Sequence, residues 1–185
     1  MSALLCTTYF GPVEWYQQLY RADEAVIEQW ESFQKQTYRN RCIIATANGP
    51  QALTVPVEHV NSQLIKDVRI SDHGNWRHLH WNALQSAYGA SPFFEYYQDD
   101  IRPFFERRWE YLFDFNEAIR QKVCELLDIQ PRVSLSLAFT KHPAPTPDFV
   151  PKPYYQVYQQ RHGFLPNLSI LDLLFNMGPG SIFWL

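Results

Sequence analysis

Asp172 and Asn176 stand four residues apart in a stretch otherwise apolar at Leu168, Ile170, Leu171, Leu173, Leu174 and Phe175. Residues i and i+4 share a helix face. A helix apolar nearly all round is a buried one, and a buried carboxylate or amide needs hydrogen-bond partners. Asn167 or Ser169 can cap this helix, and Gly178-Pro179 stops it. Asp172 is therefore kept for a structural bond or for a site, as acid, base or support. An arginine such as Arg39 or Arg41 would hold it charged; free backbone N–H groups would also serve.

The segment Tyr38-Arg39-Asn40-Arg41, with Lys35 just before it, clusters cationic and amide groups. Such a cluster can hold a phosphate or carboxylate, and it also reads as a solvated charged turn. The loop Tyr9-Phe10-Gly11-Pro12 lies between an expected strand and an expected helix. In an open α/β sheet that junction is where ligands bind, with helix N–H groups facing an anion. Tyr9 and Trp15 could stack a ring there. The loop matches neither G-x-G-x-x-G nor the phosphate-binding G-x-x-x-x-G-K-[ST]. His80, between Trp76 and Leu84, is a candidate general acid or base because free imidazole titrates near neutrality; the same setting suits a core histidine. His78 and His80 on one helix point about 200° apart, so they share no ion. With no H-E-x-x-H present, no metal is assigned. Cys6 could face a pocket, or serve as a small buried hydrophobe. No G-x-S-x-G elbow is present.

These residues need elements to position them. Ala3 to Tyr9 reads as a strand, Val13 to Arg21 as a helix with Pro12 at its start, and Glu24 to Trp30 as a second strand. Strand, helix, strand over this span predicts a right-handed unit with parallel strands. Arg41 to Ala47 and Gln51 to Val57 flank Asn48-Gly49-Pro50, which predicts a hairpin with φ > 0 at Gly49. Leu64 to Ile70 reads as another strand. Asn75 to Tyr88, Phe93 to Asp100, Arg102 to Asp114 and Phe115 to Leu127 read as helices, and Arg132 to Phe139 as a late strand. Lys141 to Pro153 carries five prolines and reads as an irregular loop. The fold class predicted is α/β: one domain over 1–185, a mainly parallel sheet with an antiparallel hairpin, flanking helices and a helical middle.

Bulk composition narrows the partners. The 185 residues are 46% hydrophobic and 16% aromatic, enough for a real core and some rings to spare for a pocket. A net charge of −3 offers no field for a polyanion, which argues against nucleic acid. Three scattered cysteines form no C-x-x-C and suit a reducing cytoplasm. No signal peptide is visible, and the apolar runs are too short to span a bilayer.

Taken together, several segments make the chain resemble the WbqC-like family of bacterial proteins. They are Tyr9-Phe10-Gly11-Pro12-Val13-Glu14-Trp15-Tyr16; Asn40-Arg41 before the Asn48-Gly49 hairpin; Trp76, His80, Leu84 and Tyr88 followed by Ser91-Pro92-Phe93-Phe94; Leu112, Asp114 and Asn116; and the terminal Leu168 to Pro179. Where that family carries Gln-Pro, this chain has Thr7-Thr8. The resemblance implies a role in surface-polysaccharide (O-antigen) synthesis, with transfer of glycine or another aminoacyl group to a sugar. The opening strand, loop and helix are also similar to nucleotidylyltransferases, although the signature histidines of that loop are missing.

Two readings stand open. One is a transferase in which Lys35, Arg39, Asn40 and Arg41 bind an anionic donor, Tyr9 and Trp15 stack a ring, Asn176 assists, and His80 with Asp172 does the chemistry. The other is a non-catalytic module holding a nucleotide or sugar in the same pocket. Both take a small anionic or sugar-linked molecule, and neither names a cofactor. An enzyme needs Arg41, His80 and Asp172 to converge on a cleft; separate burial favours the binding module.

Overall fold

The computed structural model describes residues 1–59, 63–141 and 149–185. Its elements in chain order are β1 (Ser2–Cys6), α1 (Val13–Arg21), β2 (Glu24–Glu28), β3 (Arg41–Thr46), β4 (Gly49–Thr54), α2 (Trp76–Tyr88), α3 (Phe94–Ile101), α4 (Leu112–Leu127), β5 (Val133–Leu135), α5 (Gln159–His162) and α6 (Ile170–Met177). A parallel sheet runs β1-β2-β5, with Leu4 opposite Val26 and Val26 opposite Ser134. The chain is thus α/β, with the parallel sheet and the antiparallel hairpin that its patterning predicts.

Pro12 is the N-cap of α1, extended and just ahead of Val13, where no N–H is needed from it. The helix buries Val13, Trp15, Tyr16 and Leu19. In the hairpin, Thr46 pairs with Gly49 at φ 108°, which a side chain would resist. The connecting loop is therefore Ala47-Asn48, and Gly49 opens β4.

Three elements differ from expectation. Leu64 to Ile70 is a 3₁₀ turn over Ile65–Asp67, with single bridges from Ser32 to Leu64 and from Val57 to Ile70. Glu31 and Gln29 carbonyls take its N–H groups, so no ladder forms. The helix expected over Arg102 to Asp114 ends as a 3₁₀ turn at Phe105. The chain then extends through Tyr111, which bridges to Arg69, while Ile70 donates to the Glu110 carbonyl and Leu112 to that of Val68. These tertiary bonds outweigh local helix propensity. β5 stops at Leu135 because the Glu28 carboxylate, at the end of β2, takes the Ser136 hydroxyl (2.9 Å) and the Thr140 N–H (3.0 Å). Of the proline-rich loop, residues 142–148 lie outside the described residues.

Aromatic rings fill the core more than any pocket. Tyr9 stacks on Phe115, Phe10 on Phe105, and Trp76 meets His80 edge-on. α6 is buried from Ile170 to Asn176. Ser169, not Asn167, caps it, accepting from the Leu171 N–H, whereas the Asn167 side-chain Oδ1 takes the Glu14 N–H in the first turn of α1. Gly178 ends it at φ 59°, where a Cβ would lie 2.5 Å from the Phe93 ring.

Candidate functional site

Asp172 is wholly buried, as its apolar helix demands, but its partners are not arginines. Its Oδ1 accepts from the Tyr88 hydroxyl (2.8 Å), and its Oδ2 from the Tyr154 hydroxyl (2.6 Å) and Gln156 Nε2 (2.8 Å). Burial pushes this carboxyl up, and the three donors pull it partly back. The Tyr88 hydroxyl also accepts the Ala45 N–H, and Gln156 pairs both ways with the Leu165 backbone. Asp172 thus ties hairpin, α2, α6 and the C-terminal segment together. Asn176 Nδ2 donates back to the Asp172 carbonyl (2.7 Å), while its Oδ1 is buried without a partner.

His80 is 6% exposed between the Trp76 and Phe105 rings. Burial pushes its pKa down to about 4, with a bond to the Thr54 backbone opposing. The ring is neutral, and its Nδ1 lies 2.8 Å from the Tyr9 hydroxyl, itself fully buried. In a neutral ring whose Nδ1 accepts from the Tyr9 hydroxyl, the proton sits on Nε2.

The concave site lies elsewhere, at the carboxyl end of β1. There a cleft of about 680 Å³ is lined by Cys6, Trp15, Glu31, Arg39, Phe139 and Lys141, among others. Ligands of open parallel sheets bind at this edge. One wall is an ion pair gripped at two points: Arg39 Nε donates to Glu31 Oε1 (2.6 Å) and Nη2 to Oε2 (2.8 Å). The two side chains are 11% and 5% exposed. Burial works against the guanidinium charge, and the Glu31 bonds more than offset it, so the net direction is upward. Asn116 Nδ2 donates to the Arg39 carbonyl and fixes its backbone. Trp15 Nε1 donates to the Cys6 carbonyl (2.9 Å), which fixes the indole in the cleft wall. Burial pushes the Cys6 thiol up, partly countered by the Arg39 charge. Thr7 and Thr8 follow directly, and both hydroxyls are buried without a partner.

Of the residues picked from sequence, the cleft takes Cys6, Trp15 and Arg39. Tyr9 sits in the core against His80. Lys35 Nζ lies 3.4 Å from His59 Nδ1 at the surface. Asn40 Nδ2 donates to the Val55 carbonyl, and Arg41 Nη2 to the Gln36 carbonyl. No hydrogen bond or ion pair among the described residues joins Arg41, His80 and Asp172; each has partners of its own. Glu31, Gln18 and Lys141 also line the cleft and were not singled out. For Glu31 a signal existed: it lies just past the end of β2, at the ligand-binding edge. No group of His, Cys, Asp and Glu among the described residues could hold a metal ion. None of the described helices is long and apolar enough to cross a membrane.

Comparison with known proteins agrees with the motifs. The chain is 29% identical over 196 aligned positions to the uncharacterised protein Rv1507c of Mycobacterium tuberculosis, covering 84% of each chain. No solved structure matches. The model of the WbqC-like protein family matches residues 7–146, a span that holds Trp15, Glu31, Arg39 and His80 and stops short of Asp172. The chain belongs to the WbqC-like protein family.

Proposed function

We propose that the protein binds a small anionic or sugar-linked molecule in the cleft at the carboxyl end of β1. The observation that carries this is the Arg39–Glu31 pair forming its wall. Glu31 engages the Nε–Nη2 edge of the guanidinium, so Nη1 is the group through which a ligand carboxylate or phosphate would be held. Trp15 offers an apolar face and Lys141 a second charge at the rim. In this reading Tyr9, His80, Asp172 and Asn176 are framework. The binding module comes first because Arg41, His80 and Asp172 have separate partners.

A second reading is favoured by the Cys6 thiol and the Glu31 carboxylate lining the same cleft. A group-transfer enzyme would bind its donor there, and family membership suggests a sugar acceptor and surface-polysaccharide synthesis. Three free cysteines suit a cytoplasmic setting for either role.

The test is a thermal-shift screen with nucleotides, nucleotide-sugars, aminoacyl donors and sugars. A ligand at about 100 times its Kd stabilises by roughly 2.7 kcal/mol, or roughly 5–10 °C for a domain of this size. Removing one member of a buried ion pair strands the other, so both are replaced, Arg39→Met with Glu31→Leu. The shift should vanish in that double variant. A hit that raises its melting point as much as the parent's binds somewhere else.

A further inference from the structure

A second polar cavity lies where α2 begins and the 3₁₀ turn Arg102–Phe105 passes. It measures about 330 Å³ and is lined by Asp72, Arg77, His78, Arg102, Glu106 and Arg108, among others. None of these residues belongs to the cleft at β1. Three guanidiniums meet two carboxylates there, an imbalance that favours an anion.

The three arginines differ in how firmly they are held. Arg77 is 13% exposed, lies 4.7 Å over the Trp76 ring, and donates from Nη1 to Asp72 Oδ1 (2.7 Å). Its Nε and Nη2 are shielded from water and have no partner. That Nε–Nη2 edge is the one Arg39 uses to grip Glu31. A shielded guanidinium with two nitrogens unpaired is costly, and one oxyanion can pair both. The other two arginines are loosely committed. Arg108 is 80% exposed and 3.5 Å from Asp72, which already serves Arg77. Arg102 pairs with Glu106, with both side chains more than half exposed, so that pair is weak and breaks at little cost.

We propose that this cavity is an oxyanion site, separate from the cleft, that takes the phosphate or diphosphate group of a small molecule. Arg77 lines the cavity, and a rotation of its guanidinium about the Nη1–Asp72 contact brings the Nε–Nη2 edge, shielded in this structure, to the anion. Arg102 and Arg108 close on the anion from the rim. Asp72 holds Arg77 in place through Nη1, and its carboxylate sets a limit on ligands that bring further negative charge close to it. Phosphate fits better than carboxylate because it has oxygens enough for three guanidiniums at once.

The test follows the arginine Nε–H resonances of the full chain by NMR during titration with inorganic phosphate and with pyrophosphate, against chloride at matched ionic strength. The expected result is a saturable shift of the Arg77 Nε–H and of the amides of 75–78, 102 and 104–108, absent with chloride. Arg102→Ala with Arg108→Ala removes two exposed side chains and should keep the fold while weakening binding at least tenfold. Arg77→Lys, which keeps charge but loses the fork, should weaken it as well. Arg39→Met with Glu31→Leu should leave it unchanged. Shifts that fail to saturate, that chloride reproduces, or that survive intact in the Arg102/Arg108 double variant would overturn the proposal.

Discussion

Replacing Asp172 by alanine is expected to cost about 3–5 kcal/mol, much of a typical domain's stability. Three buried donors, the Tyr88 and Tyr154 hydroxyls and Gln156 Nε2, lose their acceptor together. Each orphaned donor costs roughly 1–3 kcal/mol before relaxation. Asp172→Asn keeps one acceptor oxygen and should lose much less. Urea unfolding of both variants measures this. An alanine variant within about 0.5 kcal/mol of the parent, the range of an uninvolved surface site, would remove Asp172 from its place as hub. The pH response is unusual for an acid. Burial raises the folded-state pKa above the unfolded value of 3.8, so the folded state binds the proton more tightly. The resulting stability is present below 3.8 and is lost as pH rises through the raised value. The advantage of the parent over Asp172→Asn should therefore grow on acidification.

His80 acts in the opposite direction. Its folded pKa is pushed down to about 4 from 6.5, so the unfolded chain binds the proton first. Stability from the neutral ring is present above 6.5 and is lost as pH falls toward 4. The difference amounts to about 3 kcal/mol. Comparison of the parent with His80→Gln, by unfolding at several pH values, should show the parent's advantage shrinking across that window. A constant difference would mean that the imidazole is not held neutral against Tyr9. A ring held in this way is a poor acid or base at neutral pH, which fits its place in the framework.

The local signals that read correctly were those that needed few distant partners. Pro12 with the 3.6-residue spacing of Val13, Tyr16 and Leu19 marks α1, and Asn48-Gly49 marks the hairpin. The misread elements were decided by tertiary bonds. The backbone of 64–70 is held by Glu31 and Gln29, and the chain before Leu112 is drawn into bridges with residues 68–70. Residue type showed that Asp172 must be buried and bonded, since its helix is apolar. It could not show that two tyrosines and a glutamine, Tyr88 from α2 with Tyr154 and Gln156 upstream, would be the donors. Nor could spacing show that Arg39 faces Glu31, eight residues away, because that meeting depends on how the chain turns after β2. The same holds for Arg77, whose unpaired edge is visible only once Trp76 and Asp72 are in place.

The central claim is that the cleft beside Cys6, Trp15, Glu31 and Arg39 is where the ligand sits, and Cys6 reports on it directly. Cys42 and Cys124 are buried, with thiols pushed up to about 12 and about 11. The Cys6 thiol is raised by burial as well, but Cys6 is only partly buried and lines the cleft, so by access it is the thiol that iodoacetamide reaches first. The decisive measurement is the alkylation rate of Cys6, read by mass spectrometry, with and without the ligand found by thermal shift. Binding in the cleft predicts that the rate falls with occupancy, about tenfold at roughly 90% saturation. A Cys6 rate unchanged at saturating ligand would contradict the account.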